Sequence, residues 1–143
     1  MFSHILVAWD GSASAGRAFD YAVEIARRFQ ARVQLVSVAR IGEHSETDTE
    51  RQSSLDEARR FYEQRSAPLI ESARRQSITV EMLIVEGAHP AEAIIDTAHR
   101  VGADLVLVGR RGLSGVTRFL IGSISDRVAR YAPCPVLIIN DPQ

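Results

Sequence analysis

The sequence predicts one α/β domain spanning residues 1–143: a doubly wound, five-stranded parallel sheet of order 3-2-1-4-5 with helices on both faces, in a Rossmann-like arrangement. Three observations predict it. Strand-like and helix-like patterns alternate from end to end, with no Pro/Gly/Ser linker, low-complexity tract or internal repeat between them. ADLVLV at 103–108 is nearly all apolar, as a central strand buried on both faces must be. A chain of 143 residues, 45% of them hydrophobic, is long enough for one compact core and too short for two ordinary domains.

Each element has its own signal. HILVAW at 4–9 is the first strand, and Asp10-Gly11-Ser12 after it forms a turn that can cap a helix. In that helix, about 13–30, Ala18, Ala22, Ile25 and Phe29 fall on one face. RVQLVSVA at 32–39 is a strand covered on both sides, followed by a polar loop over roughly 40–50. Leu55, Ala58, Tyr62, Leu69 and Ala73 then keep helical spacing to about residue 76. Pro68 interrupts that pattern and should kink or split the helix, a kink being favoured. ITVEMLIVE at 78–86 carries Glu81 among apolar residues, as an edge strand does. Pro90 opens a helix over about 90–101 and Gly102 ends it. A helix at about 122–132 and the strand PVLII at 135–139 complete the series.

Composition excludes several chemistries. All seventeen basic residues are arginine, so the lysine of a Walker A loop and the amine of Schiff-base catalysis are both missing. Any cationic phosphate contact must come from arginine, whose planar fork suits phosphate oxygens. The formal net charge of -1 gives no bias toward nucleic acid or membrane surfaces, but the charge is unevenly placed. Residues 109–131 hold five arginines against Asp126, a net of +4; residues 43–57 hold six carboxylates against Arg51, a net of -5. No apolar run approaches the roughly 18 residues of a spanning helix, and Met1 leads into a strand rather than a signal peptide, so a cytoplasmic protein is expected. The lone Cys134 sits between Pro133 and Pro135 and is read as structural.

The segment GRRGLSGVTRFLIGSIS, Gly109 to Ser125, follows the most apolar strand and reads as a phosphate cradle. Glycines let the backbone approach a charged ligand, and the amides of Gly122, Ser123 and Ile124 are unpaired donors if a helix begins there. The strand order brings the loops after Trp9 and Val108 together at the carboxyl edge of the sheet, so Asp10 shares a crevice with the glycine loop. No pair of histidines, Ser-His-Asp spacing or carboxylate cluster follows that loop to activate water, and His4, His44, His89 and His99 are scattered without metal-ligand spacing.

The spacing Gly109-x2-Gly112-x9-Gly122-Ser123, with SISDRVARYAPCPVLII after it and ILVAWDGSASAGRAFDYAVEIA at the start of the chain, resembles the universal stress protein family. The resemblance implies the ATP-binding subclass; Mg2+ is expected with the nucleotide because a triphosphate carries a divalent ion, and the residues offer no dedicated protein metal site. It implies Asp10 and Gly109 at the ribose; Ala8, Val38 and Val108 beside the adenine; and Gly112, Gly122, Ser123, Ile124 and Ser125 at the phosphates. Arg111 or Arg118 could close over the triphosphate. It further implies a stress-response role and a homodimer paired through Pro135 to Ile139. The leading functional reading is a regulator whose nucleotide occupancy changes conformation, dimerisation or partner binding. Slow hydrolysis or autophosphorylation at Ser123 or Ser125, and an accessory module for a transporter or signalling protein, are the alternatives.

Overall fold

The computed structural model describes residues 1–41, 47–110 and 121–140. The elements run β1 (His4–Ala8), α1 (Ala13–Phe29), β2 (Arg32–Arg40), α2 (Asp48–Arg75), β3 (Val80–Gly87), α3 (Pro90–Val101), β4 (Leu105–Gly109), α4 (Ser123–Tyr131) and β5 (Val136–Ile139). All strand pairs are parallel and the order is β3-β2-β1-β4-β5, as the sequence predicts.

Alternation along β1 builds the two cores. Ile5, Val7 and Trp9 face α1 and α2 and share a core with Ala18, Phe19 and Ala22 of α1 and with Leu107 of β4. Leu6 points to the opposite face, against Ile94, Ile95, Ala98, Val106 and Val128 of α3, β4 and α4. Because both faces are covered, the central strands are largely apolar, and Ile5, Leu6, Val7, Leu35, Val106 and Leu107 are fully buried. Each such side chain contributes about 1.5–3 kcal/mol through burial. Cys134 packs at the margin of the second core, where burial first and then the charge of Asp104 push its thiol up, consistent with a structural role.

The helix ends follow local chemistry. Pro90 begins α3, and Gly102 ends it with φ 69°, a left-handed conformation in which its backbone N–H reaches back to the Ala98 and His99 carbonyls. The start of α2 differs from expectation: the helix begins at Asp48, inside the stretch read as a polar loop. Thr47 and Glu50 form a reciprocal capping box, each side chain accepting from the other's backbone N–H. Nor does Pro68 split the helix, which runs as one element to Arg75. Leu69, Ile70 and Ala73 seat the part after the proline on the core, while Tyr62 holds the part before it. β4 starts at Leu105 rather than at residue 103, and it extends one residue further, to Gly109.

Asp104, just before β4, ties down the amino terminus. Its carboxylate accepts from Ser3 N at 2.9 Å, Ser3 Oγ at 2.8 Å and His4 N at 3.1 Å. Desolvation raises the pKa of this carboxyl, but the bonds from Ser3 and His4, with the His4 charge, outweigh it and hold the group below its ordinary value. The folded state therefore prefers ionised Asp104, and its stabilisation is present above the unfolded-state pKa and fades as pH falls through the lower folded value. Between pH 5 and pH 3 the urea midpoint of the native protein is expected to fall further than that of Asp104→Asn. Parallel pH profiles would remove Asp104 from this role.

Candidate functional site

The connection from β1 to α1 to β2 builds the sheet in one direction, and the connection from β3 through α3 to β4 returns across β1. The carboxyl ends of β1 and β4 therefore diverge into a crevice. A cavity of about 700 Å³ opens there. Ala8, Asp10, Val38, Val108, Gly109, Gly122, Ser123, Ile124 and Ser125 all line it. These are the expected site residues apart from Gly112, which lies outside the described residues, as do Arg111 and Arg118.

The turn after β1 is braced by its own side chains. Asp10 Oδ1 accepts from Ser12 N at 2.9 Å, and Ser12 Oγ accepts from Ala15 N at 3.1 Å, so Ser12 rather than Asp10 is the N-cap of α1. Gly11 has φ 86°, which a side chain would oppose, and this reversal carries the chain from strand to helix. Asp10 is left half-buried on the cavity wall.

The floor comes from α4. Gly122 occupies its N-cap with no side-chain hydrogen bond, and Gly122 N donates to Arg110 O at 2.9 Å. An α-helix leaves its first N–H groups without intrahelical acceptors, and its dipole places partial positive charge there. The cavity borders this turn at Ser123, Ile124 and Ser125. The two serines differ. Ser125 is buried and its hydroxyl donates to Gly109 O at 2.5 Å, binding α4 to the end of β4, whereas Ser123 is exposed.

The base of the crevice carries a second polar edge. Trp9 N donates to Val36 O at 2.9 Å, so the backbone groups of Val36 face β1. Backbone direction alternates along a strand, which turns the N–H and C=O of Val38 the same way, past the end of β1 at Ala8. Ser37 Oγ takes the Trp9 carbonyl at 2.6 Å. Val38 thus presents a donor and an acceptor side by side on the crevice wall. Among the described residues no group of three or more His, Cys, Asp or Glu is arranged to hold a metal ion, and no helix is long and apolar enough to cross a membrane. Residues 1–140 match the model of the Universal stress protein family. The chain belongs to that family.

Relatives agree with the match. The chain is 33% identical over 140 residues to a putative universal stress protein of Staphylococcus haemolyticus, covering 97% of this chain and 85% of that protein. Universal stress protein UspA from Lactobacillus plantarum superposes with a TM-score of 0.84 at 26% identity, covering 96% of this chain and 97% of that one. A universal stress protein solved in complex with cAMP superposes with a TM-score of 0.68 at 27% identity, over 99% of each chain.

Within this universal stress protein fold, one wall of the cavity is absent from the sequence reading. Ser54, Glu57, Ala58, Phe61 and Tyr62 of α2 line it, together with Arg40 at the end of β2 and Pro90 and Ile94 of α3. The α2 positions recur at intervals of three and four, so the face itself was legible. That it overlooks a cavity was not. Burial first, and then the charge of Asp10, push the Tyr62 phenol above its ordinary value against a smaller opposing effect of Arg40. The hydroxyl therefore stays protonated at neutral pH.

Proposed function

We propose that this universal stress protein binds an adenine nucleotide, ATP with Mg2+, in the crevice between β1 and β4, and that occupancy acts as a switch on its conformation or association. One observation carries the reading: the open amino-terminal turn of α4, the Asp10 carboxylate and the donor–acceptor edge of Val38 border the same cavity. These groups complement the three parts of a nucleotide. Amides at a helix start suit phosphate oxygens, a carboxylate accepts from ribose hydroxyls, and adjacent backbone N–H and C=O groups match N1 and the 6-amino group of adenine. The volume lies within the range usual for small-molecule sites. A related universal stress protein was solved in complex with cAMP, which supports an adenine nucleotide as the class of ligand. Mg2+ enters on the triphosphate rather than on a protein site.

Association is proposed through β5. It forms one edge of the sheet, and Leu137 on it is 40% exposed, an apolar edge that pairing with a second copy would cover.

Titration with ATP, ADP and AMP, with and without Mg2+, tests the binding. Micromolar affinity corresponds to roughly 8 kcal/mol. Asp10→Ala is expected to weaken it about tenfold to a hundredfold, the effect of losing a charge-assisted hydrogen bond. A dissociation constant above millimolar for all three nucleotides would count against the reading. Sedimentation with and without ATP checks the switch, which fails if mass and shape are unchanged at saturation.

A further inference from the structure

We infer that Tyr62 sets how strictly the cavity separates a 6-amino purine from a 6-oxo purine, an inference that rests on the nucleotide reading above. Tyr62 Oη donates to Val38 O at 3.3 Å, and this is the carbonyl that a 6-amino group would use. The ring comes from α2, a different element from the strand it touches, and it is held edge-on against Phe61 with centroids 5.2 Å apart. Arg65 covers Phe61 in turn, 4.4 Å from the ring centroid. The phenol is therefore fixed in place, while its O–H can rotate.

A hydroxyl both donates and accepts, and at 3.3 Å its hold on Val38 O is long enough to yield. When a 6-amino purine enters, its N–H and the Tyr62 hydroxyl share the two lone pairs of one carbonyl, and the bond to the base is weaker than one made alone. A 6-oxo purine brings its oxygen toward the carbonyl, acceptor to acceptor. The Tyr62 proton can then turn from Val38 O to that oxygen and relieve this half of the mismatch; the other half, the N1–H of the oxo base against the Val38 N–H, is the same with or without the hydroxyl. Tyr62 thus lowers the advantage of the amino base and softens the penalty on the oxo base. Both effects act in the same direction.

Removing the hydroxyl should therefore sharpen selectivity. AMP and IMP are the probes, identical except at the base, and calorimetric titration of the native protein and Tyr62→Phe is the measurement. The ratio of the IMP to the AMP dissociation constant is expected to rise about threefold to tenfold in Tyr62→Phe, the range set by one ordinary hydrogen bond. The variant keeps the ring and its packing, so a merely structural role would weaken both ligands alike and leave the ratio unchanged. An unchanged or reduced ratio, with AMP still bound by the native protein, overturns this inference alone. If the native protein binds none of ATP, ADP and AMP, the nucleotide reading falls and this inference falls with it; if it binds ATP but neither AMP nor IMP, this inference alone is overturned.

Discussion

Gly109→Ala is expected to destabilise the fold by about 3 kcal/mol, at the upper end of what overpacking usually costs, and to lower the thermal midpoint by roughly 10 °C. A Cβ at this position would lie 2.6 Å from Ser14 Oγ and 2.8 Å from both Ser14 Cβ and the Ser14 carbonyl carbon. The last of these is backbone, so no rotamer change relieves the contact. The first turn of α1 would have to lift from β4, and with it Ala15, Ala18 and Phe19, which fill the core beneath. Glycine at 109 is thus required by the close seating of a helix on a strand, whatever ligand the loop holds. Ser14 supplies the control. Its hydroxyl is buried and has no hydrogen-bond partner among the described residues, so Ser14→Ala alone should be neutral or slightly stabilising. In the double variant it removes the nearest atom but leaves the other two, and only part of the loss should return. A native thermal midpoint in Gly109→Ala, measured by calorimetry, would show that α1 does not sit this close to β4.

The same residue shows how the sequence could be right about a position and incomplete about its cause. The spacing of Gly109 and Gly122 after an apolar strand located the crevice, because open parallel sheets bind at the carboxyl edge and the strand order brought Asp10 to the same place. Spacing could not distinguish a glycine facing a ligand from one facing Ser14. The hydroxyls pose the same problem: Ser123 and Ser125 are neighbours in the motif, but one is exposed and the other is bonded to the Gly109 carbonyl.

Boundaries were legible where one residue settles them, as Pro90 and Gly102 do for α3. They were not where composition and local chemistry disagree. The acidic run before α2 has the composition of a loop, but Thr47 and Glu50 satisfy each other's backbone and draw the helix into it. The α2 wall of the cavity was the least legible part. A helical face of Ala58, Phe61 and Tyr62 looks like any core-facing stripe, and only the termination of β1 short of β2 leaves space beside it.

Gly122→Asp is expected to move stability and nucleotide affinity in opposite directions. Gly122 already has the extended backbone of an N-cap, φ -61° and ψ 151°, a conformation open to any residue. An aspartate there can accept from the amides of the first turn of α4 and favour its dipole, a gain of a few tenths to about 1 kcal/mol. Those are the donors a phosphate would need. The new carboxylate would compete for them and repel the ligand, and two like charges about 4 Å apart near a protein surface interact by roughly 4 kcal/mol. Affinity for ATP should therefore fall at least a hundredfold while the thermal midpoint of the free protein holds or rises. AMP, with less negative charge, should lose less than ATP. The comparison separates two roles for this turn, because a helix start that serves only folding would gain stability from the substitution and leave ATP binding untouched. Salt adds a further check: the penalty on ATP should shrink as ionic strength rises, since screening weakens repulsion at an accessible site.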